Sequence, residues 1–139
     1  METLTFEIEI DAAPEKVWTV LWSDISYRQW TSAYTNGSFY EGTLEENSTV
    51  RFLDEENNGM YSKVLKNEPN KEMVFQHLGE IVNGGEVPQE WEDATESYQL
   101  EETSDGTILR CEVNTNEEFK AFFENNFPNA HLVNGAAAN

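Results

Sequence analysis

Cysteine is nearly missing. Cys111 is the only one in 139 residues, so no internal disulfide can form, which fits a reducing compartment. Positive charge is scarce as well: eight Lys and Arg stand against 27 Asp and Glu, a formal net charge of −19. Such a surface repels phosphate backbones and anionic lipid headgroups, which argues against nucleic-acid and membrane partners. The excess acid serves solubility first, and an acidic docking face for a basic protein second. No apolar run approaches the roughly 20 residues that span a bilayer. Met1 leads into an alternating segment rather than a basic-then-apolar leader, so a cytoplasmic location is expected. The phosphate-binding glycine loop, the dinucleotide fingerprint and the G-x-S-x-G nucleophile motif are all absent. His77 and His131 lie far apart in the chain, and one cysteine does not complete a zinc spacing. Neither a metal nor another cofactor is expected.

Aromatic residues are plentiful at 12%, so the acidity is not that of a disordered chain. Leu4, Phe6, Ile8 and Ile10 alternate with Thr3, Thr5, Glu7 and Glu9, the pattern of a half-buried strand. Pro14 suits a first helical position. Val17, Val20 and Leu21 form an apolar stripe flanked by Trp18 and Trp22, and Ser23 or Asp24 can cap a second short helix over Ile25 to Trp30. Strands are then expected at Ser38–Glu41, Ser48–Leu53, Met60–Lys66, Lys71–Leu78, Thr95–Glu102 and Thr107–Val113, with turn clusters between them. Ile81 to Glu92, holding Gly84-Gly85, Pro88 and Trp91, is expected to be a long connection and a possible lid. Last comes Asn116 to Phe127, where Phe119, Phe122, Phe123 and Phe127 share one helical face until Pro128 stops or kinks it.

Runs of strands followed by a helix argue for an α+β domain with an antiparallel sheet. The expectation is a curved sheet of about six to seven strands wrapped round the C-terminal helix, with two short helices after the first strand. One domain over residues 1–133 is expected, with a frayed tail at 134–139.

This order resembles the START-like (SRPBCC) superfamily, whose helix-grip fold is also seen in the birch-pollen allergen. Within it, the chain is similar to the bacterial branch related to the activator of the ninety-kilodalton heat-shock protein ATPase. The residues that carry the resemblance are IDAAPEKVWTVL (Ile10 to Leu21), FYEGTLEENSTVRF (Phe39 to Phe52), Trp91, ESYQLEE (Glu96 to Glu102) and GTILRCEV (Gly106 to Val113). The final helix departs from the family pattern, being interrupted at Phe127-Pro128 with only Leu132 and Val133 beyond.

A helix across a curved sheet leaves room for a mostly apolar pocket. Its expected lining is Trp30, Tyr34, Phe52, Met60, Phe75, His77, Trp91, Tyr98, Cys111, Phe119, Phe122 and Phe123. Each taken singly reads as plain core; as a set they favour a cavity. His77 reads as a hydrogen-bonded core histidine or a ligand anchor rather than a general base. Cys111 reads as an inert small hydrophobe with Arg110 on the opposite face. Glu96 shares the face of Tyr98, but a strand-end carboxylate reaching solvent is the preferred reading; if buried, a raised pKa is expected. The resulting function is non-enzymatic binding of a small hydrophobic molecule such as a lipid, by a monomer or homodimer. The alternatives are a co-chaperone-like module that binds a protein, and an aromatase/cyclase-type enzyme using the same cavity. No catalytic set is read from the residues.

Overall fold

The computed structural model describes residues 2–31, 37–89 and 94–115. Along the chain run β1 (Glu2–Ile10), α1 (Pro14–Trp22), α2 (Asp24–Thr31), β2 (Phe39–Gly42), β3 (Thr49–Leu53) and β4 (Gly59–Glu68). They are followed by β5 (Glu72–Val82), β6 (Gly85–Pro88), β7 (Thr95–Thr103) and β8 (Gly106–Thr115). The eight strands form one curved antiparallel sheet in the order β1-β8-β7-β5-β4-β3-β2, with β6 paired to β5. The architecture is the expected α+β helix-grip arrangement; the C-terminal helix expected over Asn116 to Phe127 lies outside the described residues.

Register explains the core. Residues opposite one another across antiparallel strands share a face. One row runs Leu4, Val113, Glu96, Phe75 and Val64 across five strands. The next runs Phe6, Cys111, Tyr98 and Met73. A third joins His77, Ser62 and Val50. The central positions in these rows are apolar, aromatic or small except for His77 and Glu96.

The helices cover this face. Pro14 opens α1, whose buried residues are Pro14, Val17, Val20, Leu21 and Trp22. Helix α1 leans on β7 and β8, and α2 on β2. The Trp22 ring meets Phe75 edge-on at 5.5 Å and Tyr98 at 5.0 Å. Trp30 Nε1 donates to the Leu21 carbonyl at 3.2 Å, tying α2 to α1, and the Tyr40 hydroxyl donates to the Trp22 carbonyl at 2.5 Å, tying β2 to α1. The Thr107 hydroxyl donates to the Ala12 carbonyl, tying β8 to the turn before α1.

The connection expected over Ile81 to Glu92 is replaced, as far as it is described, by a hairpin. Strand β5 continues to Val82, and Gly85–Pro88 pairs back onto it as β6. Asn83 (φ 52°) and Gly84 (φ 83°) make the tight turn, which needs both central residues left-handed. Asn tolerates that conformation and Gly adopts it freely. Pro88 ends the strand, where a missing donor is harmless. With β6, the described residues form an eight-stranded sheet, against the six to seven strands expected.

The strand β5 also changes face. His77 pairs with Ser62, but Gly79 pairs with Tyr61, leaving Leu78 as an extra residue in a bulge. Beyond it, Ile81 joins Leu53 and Tyr61 in a small cluster on the reverse face, with Phe39 and Leu78 packed against it. Gly79 permits this: a Cβ there would lie 2.8 Å from Tyr61 Cε1 and 2.5 Å from the Val87 carbonyl.

Candidate functional site

Just before the bulge at Leu78, regular alternation puts His77 on the concave face beside Ser62 of β4 and Glu96 of β7. The His77 amide donates to the Ala94 carbonyl at 2.8 Å, which sets the strands' relative position. Ser62 Oγ lies 2.6 Å from His77 Nδ1. His77 Nε2 lies 3.3 Å from Glu96 Oε1, and the Tyr98 hydroxyl donates to Glu96 Oε2. A carboxylate only accepts, so Nε2 carries the hydrogen; in the neutral ring Nδ1 then accepts the Ser62 proton. The result is a continuous hydroxyl–imidazole–carboxylate–phenol string drawn from three strands.

The string is enclosed but not sealed. Ser62 is fully buried. The His77 side chain is 8% exposed and that of Glu96 16%. Phe52 faces the His77 ring at 6.4 Å and meets Phe75 at 5.1 Å. Burial acts to raise the Glu96 pKa, but the raised value expected from the sequence for a buried carboxyl is not what the folded chain shows. The His77 hydrogen bond, the field of its ring and the Tyr98 hydroxyl outweigh burial, and the carboxyl is held below its ordinary range. The solvated strand-end reading of Glu96 is therefore overturned. Register places it opposite both Phe75 and Val113, in the middle of the sheet.

This charge is felt around it. Burial, then Glu96, pushes the Cys111 thiol well up, so the side chain stays protonated and unreactive. Burial, then Glu96, also raises the Tyr27 phenol. Arg110 points away, as expected, with Nε 2.7 Å from Glu7 Oε2.

Trp30, Phe75, Tyr98 and Cys111 fall in one buried cluster, with Phe52 packed against it. Met60 is half-buried opposite Phe52 on the same face, and His77 completes the group. Tyr34, Trp91, Phe119, Phe122 and Phe123 lie outside the described residues. Sequence reasoning did not count Ser62, Glu96 or Trp22 as site residues. The signal for Glu96 was present, since it precedes Tyr98 by two and so shares its face. What was missing was the position of β7 between β5 and β8. Trp22 was read as flanking its helix's apolar stripe, yet its ring is the helical contact to both Phe75 and Tyr98, and its Nε1 is buried with no hydrogen-bond partner among the described residues. Among those residues no group of three His, Cys, Asp or Glu could hold a metal, and no helix is long and apolar enough to cross a membrane.

Comparison with known proteins adds the lineage. No curated protein matches the sequence. Solved structures share the fold. The Aha1 dimer from Colwellia psychrerythraea is 24% identical, with 99% of this chain and 97% of that one covered and a TM-score of 0.66. Protein MLL2253 from Mesorhizobium loti is 18% identical, with 90% and 85% covered and a TM-score of 0.66. SSP2350 from Staphylococcus saprophyticus is 13% identical, with 99% and 90% covered and a TM-score of 0.65. The profile of the family described as activator of Hsp90 ATPase homolog 1-like protein matches residues 11–130. The chain thus belongs to the activator of Hsp90 ATPase homolog 1-like family.

Proposed function

We propose that this chain binds a small hydrophobic molecule between the concave face of the sheet and the C-terminal segment, within one domain spanning residues 1–133. The observation that carries this reading is the string Ser62–His77–Glu96–Tyr98, set among aromatic rings with part of Glu96 left accessible. A core built only for stability gains little from a buried carboxylate, because desolvation offsets most of what the pair returns. A binding site has a use for one, since a few polar groups in an apolar lining fix a ligand's orientation. In this reading Trp30, Phe52, Met60, Phe75 and Cys111 supply contact area, joined by Tyr34, Trp91, Phe119, Phe122 and Phe123. His77 and Tyr98, held by Glu96, supply direction. The test is native mass spectrometry of the protein from its own host, compared with the denatured protein. Extra mass lost on denaturation supports the binder. Equal masses, with no thermal shift from a panel of apolar compounds, would instead favour a protein-binding module.

One observation favours a second reading, an enzyme of the aromatase/cyclase kind. Ser62, His77 and Glu96 stand in the order hydroxyl, imidazole, carboxylate, the order by which a base is oriented to move a proton. The complete burial of Ser62 argues against its attacking a substrate directly. His77 is then the group that would exchange a proton, and loss of turnover with retained binding in His77→Gln would mark catalysis. The Colwellia relative is described as a dimer. A homodimer of this chain is proposed on that likeness, and sedimentation of the purified protein reads it.

A further inference from the structure

Resting on the binding reading, we infer that Trp22 is a ligand-binding residue of the concave face, whose indole N–H donates to a carbonyl oxygen on a flat aromatic ligand, such as a ketone or quinone. A donor without an acceptor leads there. Trp22 is 7% exposed, and its Nε1 is buried with no hydrogen-bond partner among the described residues. Among those residues it is the one buried side-chain donor left so. The others are spent. Trp30 Nε1 gives its hydrogen to the Leu21 carbonyl. The Thr31 and Thr107 hydroxyls give theirs to the Tyr27 and Ala12 carbonyls, and Ser62 meets His77. Buried indole N–H groups ordinarily find a partner, because one left unpaired has lost its bond to water and gained none. A phenylalanine at this position would fill most of the same space without that loss. The N–H is what tryptophan adds, and a ligand oxygen gives it a use.

The place of the ring says what it would meet. Helix α1 carries it onto the concave face, where it stands edge-on to Tyr98 at 5.0 Å and to Phe75 at 5.5 Å. Tyr98 in turn donates to Glu96, and Phe75 meets Phe52 at 5.1 Å. The indole therefore stands where the polar string and the aromatic wall join. That region is not sealed, since the Glu96 side chain keeps 16% of its surface. An indole N–H carries one hydrogen and accepts nothing, so what it needs from a ligand is a lone pair. A carbonyl oxygen supplies one. It also brings no formal charge, so it suits the neighbourhood of the His77–Glu96 pair whether the imidazole is neutral or protonated. Aromatic rings pack edge-to-face or offset against one another, so Trp22, Phe75 and Phe52 suit a flat skeleton behind that oxygen.

The experiment compares 2-acetylnaphthalene with 2-isopropenylnaphthalene, which has the same shape but a methylene group in place of the oxygen. Both are titrated by calorimetry against the full chain and against Trp22→Phe. The ratio of the two affinities is taken within each protein, and comparing the ratios cancels the difference in ligand hydration. Loss of one hydrogen bond should move the ratio against the ketone by about fivefold or more in Trp22→Phe. The unmodified chain gives a second reading that holds even if the variant does not fold. The Trp22 indole proton resonance, identified by its contacts with Phe75 and Tyr98, should move downfield with the ketone and not with the hydrocarbon. That of Trp30, already bonded to the Leu21 carbonyl, should stay in place. Equal ratios in the two proteins, or a Trp22 resonance that ignores the ketone, overturn the assignment and leave the binder standing. The N–H then rests on an aromatic face or on water. A host ligand that native mass spectrometry shows to lack such an oxygen overturns it as well. Binding of neither compound, together with equal native and denatured masses, overturns the binding reading itself and this inference with it.

Discussion

The concave face of the sheet has two unlike ends. Toward β1 and β8, Ile8, Ile10, Val17, Leu21 and Leu109 pack with almost no polar atom among them. Toward β4, β5 and β7, buried positions hold Ser62 and His77, with Glu96 beside them and partly accessible. Both ends are made by the same alternation of strand residues, so the fold does not require the difference. The aliphatic end gains stability from every methyl group it encloses. The other end gives up part of that gain to keep three polar groups oriented, and in the proposed reading ligand binding is the reason.

Substitutions can break this contrast. The largest loss is expected at the aliphatic end: Leu109→Ala, at a fully buried position, should cost about 2–5 kcal/mol in denaturant unfolding and leave ligand preference unchanged. At the polar end, Ser62→Ala leaves His77 Nδ1 without its hydrogen-bond partner and should cost about 1–3 kcal/mol. It should also loosen the His77 ring, so ligand affinity falls there and not in Leu109→Ala. An outcome in which both variants lose affinity in proportion to stability would erase the distinction.

A smaller effect follows from acid. The Glu96 carboxyl is depressed in the folded chain, so its contribution is present above the ordinary value of 4.5 and is lost as pH falls through the folded value. The stability difference between wild type and Glu96→Gln should therefore be constant near neutrality and shrink on acidification below that value. A difference that grows on acidification would contradict the assignment. The smallest effect is expected outside the concave face. Arg51 and Glu86 are paired at 2.7 Å, but their side chains are 36% and 42% exposed. Arg51→Ala should cost at most about 1 kcal/mol, vanishing in high salt, and should not touch binding.

The contrast also separates what could be read from the sequence. Strict alternation in β1, β5 and β8 placed Met73, Phe75, His77, Leu109, Cys111 and Val113 on their faces, because strand geometry has a fixed period. The two short helices followed from Pro14 and their apolar stripes. Strand β6 was missed because Gly85, Glu86, Val87 and Pro88 carry no burial pattern, all four being exposed. The Asn83-Gly84 pair was the available signal for its hairpin. Glu96 was misread for a different reason. Alternation gave its face, but exposure depends on which strands lie alongside, and that is a long-range property. The bulge at Leu78 is equally silent in the sequence, and it is what sends Ile81 to the reverse face while His77 stays opposite Ser62.

The central claim is that the polar end of the concave face, and not the aliphatic end or the reverse-face cluster, meets the ligand. Amide chemical-shift mapping with 2-acetylnaphthalene tests it directly. The account predicts that the perturbed amides gather at Ser62, His77, Glu96 and Tyr98, with Phe52 and Phe75 beside them. Perturbations confined to Leu53, Tyr61 and Ile81, or to Ile10, Leu21 and Leu109, would contradict it.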